Sequence, residues 1–95
     1  MSISFGEAIK ALKEGERVSR SGWNGTNMWL ALSPGVKDLE SDKFWSQAIR
    51  EFGETHGVKT ISVLPYIVMY TKQGEIVPWL ASQTDILSED WSIVS

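Results

Sequence analysis

The sequence predicts an α+β fold: a mainly antiparallel sheet with an N-terminal helix and a second helix in a central insertion. Three observations predict it. The chain opens on an apolar stripe at helical spacing, a second such stripe falls mid-chain, and several short β-rich runs are punctuated by tight-turn residues. Strands joined by short hairpins pair antiparallel, and helices then gather on one face of the sheet. The length of 95 residues is that of a single domain, 1–95.

Ser4 to Glu14 reads as the first helix. Ser4 with Glu7 has the capping-box pattern. Phe5, Ala8, Ile9 and Leu12 fall on one stripe, and Gly15 stops the helix. Arg17 to Ser19 reads as a short strand with Val18 inward. Asn24-Gly25 is a strong hairpin signal, because both residues accept positive φ. Met28 to Leu32 reads as the returning strand, closed by Ser33-Pro34-Gly35. In the stretch 36–57, Ser41 or Asp42 is expected to cap a helix running to about Thr55, with Phe44, Trp45, Ala48, Ile49 and Phe52 on one face. Lys59 to Leu64 alternates, and Pro65 breaks the run. Tyr66 to Thr71 and Glu75 to Trp79 read as a hairpin about a turn at Lys72–Glu75. Ser82 or Thr84 is expected to cap a short helical turn through Leu87, and Trp91 to Val94 is the last strand.

Composition narrows the function. The net charge is −3 and the pI about 5.0, which argues against long nucleic acid, whose binding depends on many Lys and Arg contacts. A small anion needs only one or two well-placed donors and stays open. Five Trp, three Phe and two Tyr are more than a thin core needs. A chain this short buries about 60–65% of its unfolded surface, so the surplus points to subunit contacts or stacking on a ligand. With no cysteine, disulfides, thiol nucleophiles and thiolate metal sites are excluded. No apolar run follows a basic start and no stretch approaches a membrane span, so a cytoplasmic protein without a membrane partner is expected.

Catalytic equipment is sparse. His56 is the single histidine, at a predicted helix end where it is commonly only solvated. Glu89-Asp90 reads as the solvated start of a turn. Neither a nucleophile–base pair, a metal-ligand cluster nor a phosphate-binding glycine loop is visible, so no enzyme, metal or cofactor is expected.

Two segments stand out. Arg20-Ser21-Gly22-Trp23-Asn24-Gly25-Thr26-Asn27 packs a cation, an aromatic, amides and hydroxyls together. Trp23 can stack on a base, Asn24 and Asn27 can donate and accept hydrogen bonds, and Arg20 can pair with phosphate. The alternative is a plain hairpin whose Trp covers the core. Pro78 to Asp85 leaves a strand and starts a turn; its N–H groups can meet an anion, or Ser82 and Asp85 simply cap the local backbone. Trp29, Trp45 and Trp91 read as core or interface residues.

Phe5-Gly6-Glu7-Ala8, Gly22-Trp23-Asn24-Gly25, Val77-Pro78-Trp79-Leu80-Ala81-Ser82-Gln83-Thr84-Asp85 and Glu89-Asp90-Trp91 together resemble a family of small phage and prophage proteins, the Thoeris anti-defence proteins of the second type. The resemblance spans nearly the whole chain and is weakest over 36–58, which looks like a variable insertion. It implies a sponge, one that holds a cyclic nucleotide immune signal, glycocyclic ADP-ribose, without degrading it. Some relatives capture cyclic oligonucleotides of the CBASS defence system. It also implies a homotetramer with pockets at subunit interfaces, acting in the host cytoplasm. The implied ligand contacts are Trp23, Asn24, Asn27 and Met28 on the first segment and Ala81, Ser82, Gln83, Thr84 and Asp85 on the second, with Arg20 toward the pyrophosphate. Trp29 stands where a Phe or another large apolar residue is expected.

Two other readings compete. An enzyme cleaving such a signal would release a changed nucleotide. A protein–protein adaptor or phage structural accessory would use its tryptophans as hot spots and ignore nucleotides. The sponge reading expects Trp23→Ala or Asn24→Ala to weaken binding without unfolding the chain.

Overall fold

The computed structural model describes residues 2–23 and 27–95. It has two compact units, one made of the segments up to Ser33 and from Tyr66 onward, the other of Pro34–Pro65. The larger unit contains α1 (Phe5–Lys13), β1 (Arg17–Arg20), β2 (Trp29–Ser33), β5 (Tyr66–Tyr70), β6 (Ile76–Pro78), α3 (Gln83–Leu87) and β7 (Trp91–Val94). The smaller contains β3 (Val36–Glu40), a 3₁₀ turn at Ser41–Lys43, α2 (Gln47–His56) and β4 (Thr60–Val63). The α+β class and the antiparallel pairing stand as expected.

The capping box sets the start of α1. Ser4 Oγ accepts from the Glu7 N–H at 3.2 Å, and Glu7 Oε1 accepts from the Ser4 N–H at 3.1 Å. The Ser4 main-chain N–H holds the Glu7 carboxyl below its ordinary pKa. Ala8, Ala11 and Leu12 form the buried stripe, and Gly15 at φ +90 lets the chain turn back.

Five strands of the larger unit run in the order β6-β5-β2-β1-β7, every neighbour antiparallel. Val18 pairs with Leu30, and Leu30 with Met69, on the face against α1. Val18, Leu30 and Trp91 are fully buried there, packed with the apolar stripe of α1. Trp91 is the centre of an aromatic cluster. Trp23 and Trp79 meet it edge-on, with centroids 5.4 and 6.0 Å away, and Phe5 lies 5.6 Å away. Such T-shaped pairs use the ring quadrupole as well as the buried area. Side chains alternate across a strand, so Arg17, Ser19, Trp29, Ala31, Val68, Tyr70 and Val94 lie on the opposite face. The expected Asn24-Gly25 turn lies outside the described residues.

The smaller unit departs from expectation in two places. β3 was not foreseen from the sequence. Only Leu39 in it is even half-buried, so the strand lacks apolar alternation, and a register shift between Val36 and Leu39 leaves Asp38 at φ +53. The helix expected from Ser41 or Asp42 begins instead at Gln47. Ser46 caps it, accepting from the Ile49 N–H, while the Ser41 hydroxyl is spent on the Val58 carbonyl at 2.8 Å. Phe44 is extended (φ −67, ψ 145), which ends the 3₁₀ turn and breaks the presumed stripe. Phe44 is buried, whereas Trp45 is 74% exposed.

Candidate functional site

The geometry of the first polar segment is set by one guanidinium. Arg20 ends β1 on the α1 face of the sheet. Its Nη1 donates to Asp85 Oδ1 at 2.7 Å and its Nε to Asp90 Oδ1 at 2.9 Å, with Nη2 near Asp90 Oδ2 at 3.5 Å. The Arg20 and Asp85 side chains are each 12% exposed. One cation thus ties the start of the loop to the α3 cap and to the residue before β7.

Each carboxylate does a second task. Asp85 Oδ2 accepts from the Ser82 N–H at 3.0 Å and the Ser82 hydroxyl at 2.8 Å, and Ser82 Oγ accepts from the Asp85 N–H at 3.0 Å. This is a complete capping box on a five-residue helix. Asp85 Oδ1 also receives the Trp23 indole N–H at 3.4 Å, and the Asp85 carbonyl receives that of Trp91 at 3.0 Å. Asp90 Oδ2 accepts from the Gly22 N–H at 2.8 Å and the Ser21 hydroxyl at 3.3 Å. A Cβ on Gly22 would lie 2.8 Å from that oxygen and 3.0 Å from Arg20 Nη2, so any larger residue would make the ends of these two side chains shift.

The electrostatics follow the hydrogen bonds. Burial pushes the Asp85 carboxyl up, but the Ser82 N–H, Arg20, the Ser82 hydroxyl and the Trp23 indole outweigh it and leave its pKa below the ordinary aspartate range. Asp90 is held low by the Arg20 guanidinium first, then by the Gly22 N–H. Arg20, between two carboxylates, is raised further. Both aspartates are firmly ionised at neutral pH.

The structure brings together Arg20, Trp23, Ser82 and Asp85. Trp23 is half-buried, edge-on to Trp91, and covers the core. Ala81 is half-buried beside the cap, and Gln83 and Thr84 are exposed on the first turn of α3. Asn27, at φ +64, and Met28 lie elsewhere. They line a cleft of about 440 Å³ with Arg17, Ser19, Trp29 and Tyr70. Asn24 is outside the described residues. Within one chain the expected contacts therefore divide, Trp23 lying with the second segment and Asn27 and Met28 in the separate cleft.

Sequence reasoning missed Asp90. It was read as a solvated turn residue, yet its carboxylate has four donors around it. Its place in the Glu89-Asp90-Trp91 motif was the available signal. His56 stacks on Phe52 with centroids 4.5 Å apart and stays exposed.

A family model described as the Thoeris anti-defense 2-like domain matches residues 3–94. The chain belongs to this family. It is also 43% identical over 93 residues to a protein of Bacillus phage SP01 named Thoeris anti-defense 2, an alignment covering 98% of this chain and 96% of that one. The resemblance read from the motifs is thereby borne out. Both polar segments of this Thoeris anti-defense 2-like chain, and the Arg20–Asp85–Asp90 frame that joins them, lie within the matched span. Among the described residues no group of three or more His, Asp or Glu is placed to hold a metal ion, and no helix is long and apolar enough to cross a membrane.

Proposed function

We propose that this chain sequesters a cyclic nucleotide immune signal of the glycocyclic ADP-ribose type and releases it unchanged, so inhibiting a bacterial anti-phage defence. Membership of the Thoeris anti-defense 2-like family carries this reading. The geometry supports it. Trp23 lies with Ser82 and Asp85 at the capped helix, beside Ala81, Gln83 and Thr84, while Asn27 and Met28 line a separate cleft, and Asn24 is proposed as a further contact. Arg20 ties the start of the first segment to the helix cap by its two ion pairs rather than by reaching for phosphate itself.

Capture rather than turnover fits the titratable groups. A general base works best with a pKa near the operating pH, whereas Asp85 and Asp90 are both held low. A subunit interface completes the pocket. Leu80 is 91% and Leu87 76% exposed, with Val77 and Ile86 part-exposed, and among the described residues β6 ends the sheet with an open edge while β7 is met on its outer edge only by the Ile3–Trp91 bridge. Apolar surface and open edges of this kind suit contacts between copies, as a homotetramer requires. Some related signals, cyclic oligonucleotides among them, fit the same chemistry.

Isothermal titration with glycocyclic ADP-ribose tests the proposal. Sub-micromolar binding, worth more than ~8 kcal/mol, is expected. No heat with this ligand or with cyclic oligonucleotides would favour an adaptor, for which the exposed Trp45 is the best-placed hot spot.

A further inference from the structure

The cation expected to meet the ligand's phosphate is already engaged. Arg20 has carboxylate oxygens at Nη1 and Nε and a third near Nη2, and its side chain is 12% exposed. An anion there would have to displace a carboxylate and break the α3 cap. A larger hollow of about 740 Å³ in the smaller unit suits an anion less well, since Glu40, Asp42, Glu51 and Glu54 outnumber Arg50 and Lys59 around it.

Arg17 is differently placed. It lies three residues before Arg20 on the same strand and so on the other face of the sheet. Among the described residues no Asp or Glu side chain pairs with it. Its Nη2 donates to a main-chain oxygen of Ser95, the last residue, at 3.0 Å, and its guanidinium carbon lies 5.3 Å from the centroid of Trp29. Trp29 is in turn stacked on Tyr70, centroids 5.0 Å apart and planes 8° from parallel. A guanidinium fixed by a cation–π contact and one main-chain oxygen keeps further N–H donors for a phosphate, and its fork matches two phosphate oxygens at once. The same cleft of about 440 Å³ holds the Ser19 hydroxyl, Asn27 and Met28. That volume is within the range of small-ligand sites.

We propose that Arg17, held over the Trp29–Tyr70 stack, is the phosphate-binding residue of a nucleotide subsite completed by Ser19 and Asn27. The Asn27 amide and Ser19 hydroxyl supply neutral hydrogen bonds beside the cation, and Met28 gives the adjoining wall an apolar contact. This rests on the sponge reading for the identity of the nucleotide but not for the anion site itself. The pyrophosphate of glycocyclic ADP-ribose and the phosphodiester of a cyclic dinucleotide share the chemistry.

Two measurements test it together. The first is titration of the wild-type protein, Arg17→Ala and Arg17→Lys with glycocyclic ADP-ribose and with a cyclic dinucleotide. Arg17→Ala is expected to weaken binding roughly 10- to 100-fold at an unchanged melting temperature, the range of a charge-assisted hydrogen bond. Arg17→Lys is expected to recover part of the loss. The second follows side-chain and backbone NMR resonances while millimolar inorganic pyrophosphate is added. The Arg17 Nε–H, Ser19 amide and Trp29 indole signals are expected to move, and the Arg20 Nε–H to stay. Nucleotide binding that Arg17→Ala leaves unchanged would overturn the subsite and spare the sponge. Pyrophosphate shifts at Arg17 without binding of either nucleotide would uphold the subsite and remove the sponge. Shifts at Arg20 in place of Arg17 would overturn the assignment.

Discussion

Replacing Asp85 by alanine should show how much of the larger unit hangs on one carboxylate. The change removes four accepted hydrogen bonds, from the Ser82 N–H, the Ser82 hydroxyl, Arg20 Nη1 and the Trp23 indole. Loss of the capping-box partner costs about 0.5–1 kcal/mol. The hydrogen bond to the Arg20 cation is worth about 1.5–3 kcal/mol, since the guanidinium stays part-buried. Losing one partner of a buried pair costs up to about 3–5 kcal/mol, but Asp90 still neutralises Arg20, so the total should be about 3 kcal/mol. For a domain near 100 residues each kcal/mol moves Tm by about 4–8 °C, which gives a fall of about 12–24 °C. Thermal melts by circular dichroism at pH 7 read this directly. The sign of the pH dependence is also fixed. Asp85 titrates lower in the folded chain than in the unfolded one. Its contribution is thus fully present above the unfolded aspartate value of about 3.9 and is lost as pH falls below it toward the folded pKa. The gap between wild type and Asp85→Asn should therefore narrow as the pH falls below about 4. A melt of Asp85→Ala within about 2 °C of wild type at pH 7 would refute the reasoning, as would a gap that widens in acid.

Other substitutions report on separate features. Trp23→Ala should weaken nucleotide binding and also lower stability by about 2 kcal/mol, because the indole packs edge-on against Trp91 and donates to Asp85. The variant is still expected to fold, in line with the sequence analysis, but with this added cost. A chemical denaturation curve superimposing on wild type would refute the cost. Gly35→Ala should destabilise the smaller unit by at least about 2 kcal/mol. Gly35 sits at φ +79, and a Cβ there would lie within 3 Å of the Val63 carbonyl and the Leu64–Pro65 backbone. Hydrogen exchange of the β3 and β4 amides would register the loss, and unchanged protection would count against the packing described.

The sequence was most legible where one local rule decided the outcome. The Ser4–Glu7 box, the Gly15 stop and the Ser82 cap all formed, because capping acts over three or four residues. Trp91 to Val94 was a strand end to end. Rules of apolar spacing failed at β3, whose side chains are mostly solvated, and at the start of α2, where the Phe44 backbone turns extended and Ser41 is drawn to Val58. The site was legible as two polar segments but not as a frame. Nothing in local spacing reveals that Arg20 meets residues 65 and 70 positions away. Charge alone made Arg20 and Arg17 equivalent. Burial and partner choice distinguish them, and both arise only when β1 lies between β2 and β7.

The central claim, capture without chemistry, is tested most directly by the fate of the ligand. The protein is incubated with glycocyclic ADP-ribose, separated from unbound nucleotide and denatured by heat, and the released material is analysed by mass spectrometry. Sequestration predicts retention of the ligand by the folded protein and recovery at its original mass. Failure to retain it, or recovery as a nucleotide of altered mass, would contradict the proposal.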